Sequence, residues 1–488
     1  MRAKKIIPVK KRIVFIATLS FLVLLAGSCK KDTGQAPNDN LTQTQIVNEW
    51  IYDGMRSLYL WNSTIPSGLD PMTETDSKAF FHKMLNTAKD HFSYITDDYN
   101  GLVAELQGEP KSMGYSPGFV RYGSTNTVGI FVEFVYPGSP AARAGLKRGD
   151  IILSIDGQTL KTDNYYDLYS QDTYTAGLGD FSTGELKANG RSLNLSAEVI
   201  SADPVLYDTI FDFNGVKTGY LVYTEFTPGT GNQYINELGN VFDNFKSQGT
   251  HDILIDLRYN RGGSIDVAQF LASCLAPASV VADKAVLVKN QYNQSVNNYL
   301  VSTEGADSKS LVIKFNDNGH NMDLSRVYFI TSWGTASASE LVITGLEPYM
   351  DVYTIGDTTV GKYTGMWVIP DTNDPPRHNW AMMPIVLKYA NADGFTDFEY
   401  GLPPYIYVRD DLKTAVPFGD LSDPMLARAL SVITGTPVPT IEKKGTAGAP
   451  LQHLRPGPED IKNNLFVPAN KSLMDRMVND RDAGPSKP

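Results

Sequence analysis

Two stretches of the sequence share one pattern, and that pattern limits the fold of the second half of the chain. In each, a short apolar run suited to a buried strand leads through small residues into a segment with helical spacing. The first is 251–258 followed by a helix pattern at 265–275, and the second is 326–332 followed by a helix from Ser337. Another strand is predicted at 351–355. This alternation predicts an α/β layer architecture, in which ligands bind where loops leave the strand ends.

The remaining sequence divides by composition into further regions, and 488 residues correspond to about three domains. Apolar and aromatic residues recur at helical spacing over 41–108, which predicts a small helical N-terminal domain. Short strands and turns occupy 109–205, and the α/β pattern occupies 206–435. Residues 436–488 are rich in Pro, Gly and charge, which is typical of a peripheral tail or of a substrate-like or interaction segment. The predicted fold class is therefore multidomain, α+β and α/β.

The N-terminus has the features of a bacterial export signal. Six basic residues precede an apolar run at 13–26, which is too short to span a membrane comfortably. Small residues then lead directly to Cys29, an arrangement that resembles the lipobox of bacterial lipoproteins. The resemblance implies that 1–28 is a signal peptide, that Cys29 is acylated and that 29–40 is a tether. We therefore expect a lipid-anchored protein of the bacterial cell envelope, on the periplasmic side of the outer membrane or at the cell surface; the alternative is a secreted soluble protein with a spare cysteine.

Charge and residue spacing argue against two classes of function. Acidic residues outnumber basic residues by 54 to 43, whereas nucleic-acid binding needs clustered positive charge. The six histidines have no metal-ligand spacing, so no metal site is predicted, and no cofactor is indicated. The second cysteine, Cys274, lies in an apolar helical stretch and is interpreted as a buried packing thiol.

Within 109–205, an ordered series of signals extends from residue 128 to residue 157. A strand, a Pro/Gly turn, a short Ala-rich helix ending at Gly145 and a second strand follow one another. This order resembles a PDZ domain of the circularly permuted bacterial type. The resemblance implies that the preceding stretch, 114–119, is a loop that receives the terminal carboxylate of a peptide on its backbone N–H groups, while the peptide pairs as an added strand. On chemistry alone the stretch is equally any Gly/Pro loop. The predicted peptide-binding residues are Gly114, Tyr115, Gly118 and Phe119.

Two chemical interpretations compete at Gly356 to Lys362. The segment matches the first seven positions of a phosphate-binding loop, G-x-x-x-x-G-K, and follows a predicted strand. That motif next requires Ser or Thr to hold magnesium, whereas this chain has Tyr363, and Gly365 disfavours a helix starting there. Nucleoside triphosphates are also scarce outside the cytoplasm. Nucleotide binding is therefore the disfavoured interpretation.

The favoured interpretation joins Lys362 to Ser337, 25 residues earlier. Four motifs occur in the order and spacing of the carboxy-terminal processing proteases, also called tail-specific proteases, and the resemblance covers roughly residues 41–435. It implies a protease core with a mixed sheet of the ClpP and crotonase type beside the PDZ domain. The motifs are Asp-Leu-Arg-Tyr-Asn-Arg-Gly-Gly at 256–263, Thr-Ala-Ser-Ala-Ser-Glu at 335–340, Gly-Lys at 361–362 and Gly-Leu-Pro-Pro-Tyr-Ile-Tyr-Val at 401–408.

The same resemblance implies a Ser-Lys catalytic dyad, and each position has a physical reason. Ser337 at a helix start exposes its Oγ as the nucleophile, and the N–H of Ala338 points outward, where it stabilises a developing oxyanion. The Gly262-Gly263 turn lets a second backbone N–H approach the substrate, and we expect Gly263 to donate it. Lys362 acts as the base only if burial among apolar neighbours lowers the pKa of its amine towards neutrality.

Two positions depart from the family pattern. Many members carry a Gln four residues after the lysine, thought to orient the dyad, whereas this chain has Met366, which cannot make those hydrogen bonds. Gln269 and Thr364 are the candidate substitutes. The final motif has Pro404 where the family often has Asp. Glu340, close to the nucleophile on the helix, is expected to be a structural hydrogen-bond partner rather than a catalyst.

The sequence therefore predicts an envelope-anchored serine endopeptidase that captures protein C-termini through a PDZ domain and cleaves upstream of them. Its partners are protein or peptide substrates with free C-termini and, through the lipid, a membrane; no nucleic acid is expected, and the oligomeric state is not indicated. The alternative from another class is a catalytically degraded peptide-binding lipoprotein. Met366 favours that alternative, whereas the intact Ser337, Lys362 and Gly-Gly turn favour the enzyme. A carbohydrate- or envelope-associated scaffold is a third interpretation, for which the sequence has no aromatic or repeat signature.

Overall fold

A computed structural model describes residues 41–181, 185–438, 451–454 and 466–467. The predicted signal peptide, Cys29 and all of the tether lie outside the described residues. By their contacts, the residues from Thr42 onward belong to one unit. Within the described ranges, no helix has both the length and the apolar character needed to cross a membrane.

The N-terminal region begins with an amphipathic helix that has a defined start. The side chain of Thr42 accepts a hydrogen bond from the N–H of Gln45, and the Gln45 side chain accepts one from the N–H of Thr42, which forms a capping box. A strand at Tyr94–Thr96 pairs antiparallel with residues 381–383, so the helical domain also contributes a strand to the catalytic region. The elements are α1 (Gln43–Leu58), a 3-10 turn (Asn62–Thr64), α2 (Ser77–Lys83), β1 (Tyr94–Thr96) and α3 (Tyr99–Leu106).

The second region has the strand and helix order expected of the PDZ domain. Its main sheet is antiparallel, and its Ala-rich helix starts at the N-cap Ser139 and ends at Gly145, which has φ +85. The elements are β2 (Lys111–Ser112), β3 (Tyr115–Tyr122), β4 (Val128–Val135), α4 (Pro140–Ala144), β5 (Ile151–Ile155), β6 (Gln158–Thr159), α5 (Tyr165–Tyr169), β7 (Thr173–Asp180), β8 (Lys187–Ser196) and β9 (Glu198–Val199). The sheet runs β3-β4-β5-β7-β8, with β6 on β5 and β2 paired to β9.

The prediction of a loop at 114–119 is wrong for most of its length. Only Gly114 lies in a turn, with φ +82, a conformation that favours glycine. From Tyr115 onward the chain is strand β3, paired antiparallel with β4. Pro117 suggested a loop, but the register shifts between Ser116 and Pro117, and a strand accommodates a residue without an N–H at such an irregularity.

The catalytic region is built on a mixed sheet in the order β10-β11-β12-β15-β16-β21, in which only the β10–β11 pair is antiparallel. A second sheet has the order β14-β13-β20-β17, and β1, β19 and β18 form a third. The strands are β10 (Val205–Phe213), β11 (Val216–Tyr223), β12 (Asp252–Asp256), β13 (Val286–Tyr292), β14 (Val312–Lys314), β15 (Arg326–Thr331), β16 (Asp351–Gly356), β17 (Thr364–Trp367), β18 (Ile369–Pro370), β19 (Ala381–Met383), β20 (Ile385–Asn391) and β21 (Ile406–Tyr407).

Helices cover both faces of the main sheet, because its strands alternate between two cores. Ile253 and Ile255 point to the face covered by α6, α7 and α10, whereas Leu254 points to the face covered by α11. Cys274 is buried in the first of these cores, where burial raises the pKa of its thiol to about 12, as suits a packing residue. The helices are α6 (Gln233–Ser247), α7 (Ile265–Leu275), α8 (Ala278–Ala282), α9 (Gln294–Glu304), α10 (Ala338–Leu346) and α11 (Pro424–Thr434), with 3-10 turns at Thr230–Asn232 and Leu412–Thr414.

Two short pieces of the predicted tail add strands to these sheets. β22 (Leu451–His453) pairs antiparallel with β3 of the PDZ region. β23 (Phe466–Val467) pairs parallel with β17, the strand that follows Lys362. The tail is therefore paired at both places where the structure describes it.

Candidate active site

Ser337 is the N-cap of α10, in the turn that follows β15. Its φ of 62° and ψ of −110° form a sparsely populated combination for a residue with a side chain. The glycine turn at 262–263 packs against it. A Cβ on Gly262 would lie 2.7 Å from Cβ of Ser337 and 3.0 Å from the nitrogen of Ala338, so this contact requires glycine.

The two predicted oxyanion donors lie in this turn and at the helix start. The N–H of Gly262 donates to Oδ1 of Asn260 at 2.9 Å, which occupies that donor. For the N–H groups of Gly263 and Ala338, by contrast, no protein acceptor is found among the described residues. Two backbone donors beside a serine are the arrangement that stabilises an oxyanion. Gly263 and Ala338 therefore stay the predicted donors.

Lys362 is fully buried, and its Nζ makes no hydrogen bond within the described ranges. The centroid of the Phe92 ring lies 5.2 Å from Nζ. Burial lowers the pKa of Lys362 well below its usual value, and the charges of Asp90 and Glu340 oppose that shift. A neutral amine with an available lone pair is the form that a general base requires.

One carboxylate connects the two predicted dyad residues. Oε2 of Glu340 accepts hydrogen bonds from the backbone N–H of Ser337 at 2.7 Å and from that of Lys362 at 2.8 Å. Oε1 accepts from the N–H of Gly361 at 2.7 Å and from the hydroxyl of Thr359 at 2.5 Å. Burial raises the pKa of Glu340, and these donors oppose the shift by stabilising the ionised form. Glu340 thus fixes the backbone of both dyad residues, the structural role expected of it.

Tyr389 on β20 joins the same two residues from another side. Its hydroxyl donates to the carbonyl oxygen of Ser337 at 3.2 Å and lies 3.4 Å from that of Lys362. No sequence pattern indicated this role, because the chain has 26 tyrosines and Tyr389 belongs to none of the motifs. Only the packing of β20 beside β17 brings it to the site.

Neither proposed substitute for the missing Gln bonds to Lys362. Met366 is buried in a hydrophobic cluster. Gln269 donates to the backbone of Lys314 at 2.5 Å and is therefore engaged elsewhere. Oγ1 of Thr364 is buried, and the described residues offer it no hydrogen-bond partner.

The cover of Lys362 comes instead from the N-terminal region, to which the sequence assigned no functional residue. Asp90 accepts hydrogen bonds from the hydroxyls of Tyr59 at 2.7 Å and Ser93 at 2.6 Å. It also accepts one from the N–H of Phe92 at 3.0 Å. These bonds fix the turn that carries the Phe92 ring to Nζ of Lys362. Spacing could not reveal the contact, because it joins distant parts of the chain.

The Gly-Lys motif is not a phosphate-binding loop. The residues after Lys362 form strand β17 instead of a helix. A Cβ on Gly361 would lie 2.6 Å from the carbonyl oxygen of Glu399 and from the nitrogen of Gly401. The motifs at 361–362 and 401–408 therefore meet as two backbones in direct contact, which explains why each contains glycine.

A cavity of about 650 Å³ lies between the N-terminal, PDZ and catalytic regions. Of the predicted peptide-binding residues, Tyr115 and Phe119 line it. The N–H of Gly114 instead donates to Oγ of Ser112 at 3.0 Å, and a Cβ on Gly118 would lie 3.1 Å from a carboxylate oxygen of Glu133. The cavity wall also includes Tyr259 and Arg261, which precede the glycine turn at 262–263.

The chain is similar to peptidases along most of the described length. Family profiles match it as a Peptidase S41 N-terminal domain at 47–94, a PDZ domain at 131–173 and Peptidase family S41 at 217–408. It is 26% identical over 308 residues to carboxyl-terminal-processing peptidase 2, chloroplastic, of Arabidopsis thaliana, covering 60% of this chain and 54% of the relative. It is 25% identical over 361 residues to the carboxyl-terminal-processing protease of Synechocystis sp., covering 72% of this chain and 76% of the relative.

A solved structure gives the same result for the fold. The crystal structure named as an S41 protease from Bacteroides fragilis NCTC 9343 matches with a TM-score of 0.64 and 29% identity, over 79% of this chain and 97% of that one. The fold and these matches define the class as serine-type peptidases, and they confirm the predicted architecture of helical, PDZ and α/β regions. More particularly, residues 217–408 match Peptidase family S41, and residues 131–173 match a PDZ domain. The match spans about half the length of the Arabidopsis relative.

Proposed function

We propose that this protein is a serine endopeptidase with a Ser337-Lys362 dyad that engages the C-termini of protein substrates through its PDZ domain. In the first step, Oγ of Ser337 attacks the scissile carbonyl carbon while Nζ of Lys362 takes its proton. The N–H groups of Gly263 and Ala338 stabilise the oxyanion. The ammonium group of Lys362 then protonates the leaving amine of the substrate. In the second step, the neutral Nζ of Lys362 deprotonates a water molecule, which hydrolyses the acyl ester on Ser337.

The observation that carries this proposal is that Ser337 and Lys362 share one hydrogen-bond acceptor. A single oxygen of Glu340 accepts from the backbone N–H of both Ser337 and Lys362. The lysine amine is buried without a hydrogen-bond partner in the described structure. A buried amine without a partner destabilises the fold, so a structural role does not explain the position of Lys362.

The location of the protein is also a proposal. We propose that acylated Cys29 anchors it in the bacterial envelope, on the basis of the resemblance to a lipoprotein signal. The test is metabolic labelling with an alkyne fatty acid, which should label the native chain and not the Cys29→Ala variant. Labelling of neither would favour a secreted protein, and labelling of both would place the acylation at a residue other than Cys29.

A second candidate function is supported by one observation. Met366 stands where many members carry a Gln, and neither Gln269 nor Thr364 bonds to Lys362. The alternative is therefore a peptide-binding lipoprotein of the same fold that has lost hydrolysis.

The test of the dyad uses residues 30–488 and an unfolded reporter that ends in a free apolar C-terminus. We expect cleavage to fall by at least about 10³-fold in both Ser337→Ala and Lys362→Met, as in other disrupted catalytic dyads and triads. The same reporter with an amidated C-terminus should be cleaved more slowly, because the terminal carboxylate is the group that a PDZ domain recognises. Cleavage sites are read by mass spectrometry.

Thermal unfolding of both variants provides the control for folding. Unchanged cleavage in either variant would refute the dyad. Binding of the free-tail reporter without cleavage by the native chain would favour the degraded peptide-binding protein.

A further inference from the structure

Glu225 is a buried carboxylate that the proposed dyad does not use. It follows β11 and is only 6% exposed. The next residue, Phe226, donates its N–H to the carbonyl of Gly262 at 2.8 Å, so Glu225 stands next to the glycine turn of the site. The cavity wall includes Glu225, Glu105 and Tyr136, and the charge of Glu225 acts on the Tyr136 hydroxyl. Its carboxylate therefore lies at the cavity.

The Glu225 carboxylate makes no hydrogen bond or ion pair with any described residue. Burial and the charge of Glu105 raise its pKa to about 8. Burying an acid without a partner costs free energy, and a cation arriving in the cavity removes much of that cost. The site is therefore arranged for a positively charged group from outside the protein.

The other charges of the cavity wall leave the carboxylates in excess. Lys111 is paired with Asp172. Arg261 lies over the Trp333 ring, 5.8 Å from its centroid, and its charge acts on Glu133. The cavity wall contains four acids, Asp98, Glu105, Asp172 and Glu225, against two bases, Lys111 and Arg261.

We propose that Glu225, assisted by Glu105, forms a subsite that takes a lysine or arginine side chain of the peptide substrate near the scissile bond. The proposal rests on the proposed peptidase function and names a substrate class for it. The tyrosines of the wall suit the same ligand, because aromatic faces attract cations.

The test compares reporters that differ only in Lys or Gln at one position, scanned through four residues on each side of the cut. At one position we expect the native chain to prefer Lys by about 10-fold in kcat/KM, and Glu225→Gln to reduce that ratio to about one. Glu198→Gln, which changes an exposed carboxylate of β9, should keep the native ratio.

The same ratios are measured as Kd in a Ser337→Ala background, so that a failure of catalysis does not hide the result. A native chain without Lys preference at any position would overturn the subsite, as would a ratio that survives Glu225→Gln. Absence of cleavage together with a Lys-selective Kd would refute the peptidase and retain the subsite.

A different observation concerns the tail. Strand β22 lies on the edge of β3, with Leu451 opposite Tyr122 and His453 opposite Val120, and the N–H of Leu454 donates to the carbonyl of Phe119 at 2.9 Å. This is the edge on which a peptide would pair. Because the pairing is antiparallel, the tail advances towards Gly114, the direction in which a C-terminal peptide approaches its carboxylate site.

Side chains support the backbone pairing. Leu454 packs against the hydrophobic core of the PDZ region. The ring of His453 lies 4.2 Å from that of Trp333, and Trp333 is four residues before Ser337. The tail segment therefore contacts both the peptide edge and the turn of the proposed active site.

We infer that residues 451–454 are an intramolecular ligand of the PDZ region and compete with substrate C-termini for β3. A substrate then binds only the fraction of molecules in which the tail has left, which lowers its apparent affinity in proportion. The inference rests on the proposed capture of C-termini.

The test locks the tail reversibly. Arg121 and Gln452 are opposite each other in the register, so Arg121→Cys with Gln452→Cys should form an intramolecular disulfide in residues 30–488. In a Ser337→Ala background, we expect the locked form to bind the free-tail peptide at least about 10-fold more weakly than after reduction. Leu454→Pro, which removes the hydrogen bond to Phe119, should bind it more tightly than the native chain.

Ser472→Pro, elsewhere in the tail, should leave the Kd unchanged. Failure to form the disulfide would overturn the pairing, whatever the protein does to peptides. An intact disulfide with equal Kd in both forms would overturn the competition.

Discussion

At the scale of single residues, Lys362 carries an electrostatic cost that the rest of the fold must offset. Its amine is buried beneath Phe92, and among the described residues the opposing charges are those of Asp90 and Glu340. The sequence indicated this residue and its partner Ser337 through their motifs. It did not indicate Phe92 or Tyr389, because their contacts depend on side chains brought together from separate parts of the chain.

Replacing Lys362 with methionine should stabilise the protein at neutral pH. The folded pKa lies below the unfolded value of about 10.4, so between these two values the unfolded chain binds more protons. Stability of the native chain should therefore rise with pH in that window, by up to about 1.4 kcal/mol per pH unit. Methionine does not titrate, so the stability of the variant lacks this pH dependence. The gain in unfolding free energy from Lys362→Met should therefore shrink from pH 7 towards pH 10. Urea unfolding across this range measures it, and a difference independent of pH would mean that Lys362 is charged when folded.

At the scale of elements, the sequence predicted what depends on local spacing. The strand and helix patterns correspond to β12, α7, β15 and α10. Both helices start within one residue of their predicted positions. The prediction of a loop at 114–119 was wrong because Gly and Pro indicate an irregular backbone without distinguishing a loop from a bulged strand. The contact between the loops at Gly361 and Gly401 could not be predicted from the sequence either, because each glycine is required by the backbone of the other segment.

Replacing Gly401 with alanine should disrupt the active site without touching a catalytic group. A Cβ there would lie 2.1 Å from the carbonyl oxygen of Thr359, whose hydroxyl donates to Glu340. We expect a loss of about 2–4 kcal/mol in unfolding free energy and a lower kcat, measured by urea unfolding and reporter cleavage. Gly435→Ala is the matched control. It also has positive φ, with open space around it, so it should cost only about 1 kcal/mol and leave kcat unchanged.

At the scale of the whole molecule, one arginine connects the PDZ region to the catalytic region. Arg148 lies between the rings of Tyr259 and Phe418, 5.1 Å and 4.4 Å from their centroids. Its Nη1 donates to the Tyr259 hydroxyl at 2.9 Å, and its Nε donates to the carbonyl of Val416 at 2.9 Å. Tyr259 precedes the turn that contains Gly263, so the PDZ region contacts the loop of the predicted oxyanion donor.

Replacing Arg148 with methionine should therefore affect stability and catalysis together. Removing this partly buried arginine leaves the Tyr259 hydroxyl and the Val416 carbonyl without these donors, and we expect a loss of about 2 kcal/mol in unfolding free energy. We also expect lower kcat on a short peptide that does not need the PDZ domain. Arg191→Met, which removes an arginine with a side chain 52% exposed, is the control. Equal kcat for Arg148→Met and the native chain would separate the two regions functionally.

The strand pairing of β1 with β19 also sets an order of events during synthesis. Ser93, beside Phe92, accepts a hydrogen bond from the N–H of Ile385, a residue 292 positions later in the chain. Contacts of such sequence separation form late, because a long loop must close first. The hydrogen bond that holds the residue beside Phe92 therefore forms only after residue 385 has been made. A chain that ends before this residue lacks that bond, so the burial that lowers the pKa of Lys362 depends on a segment made after the lysine itself.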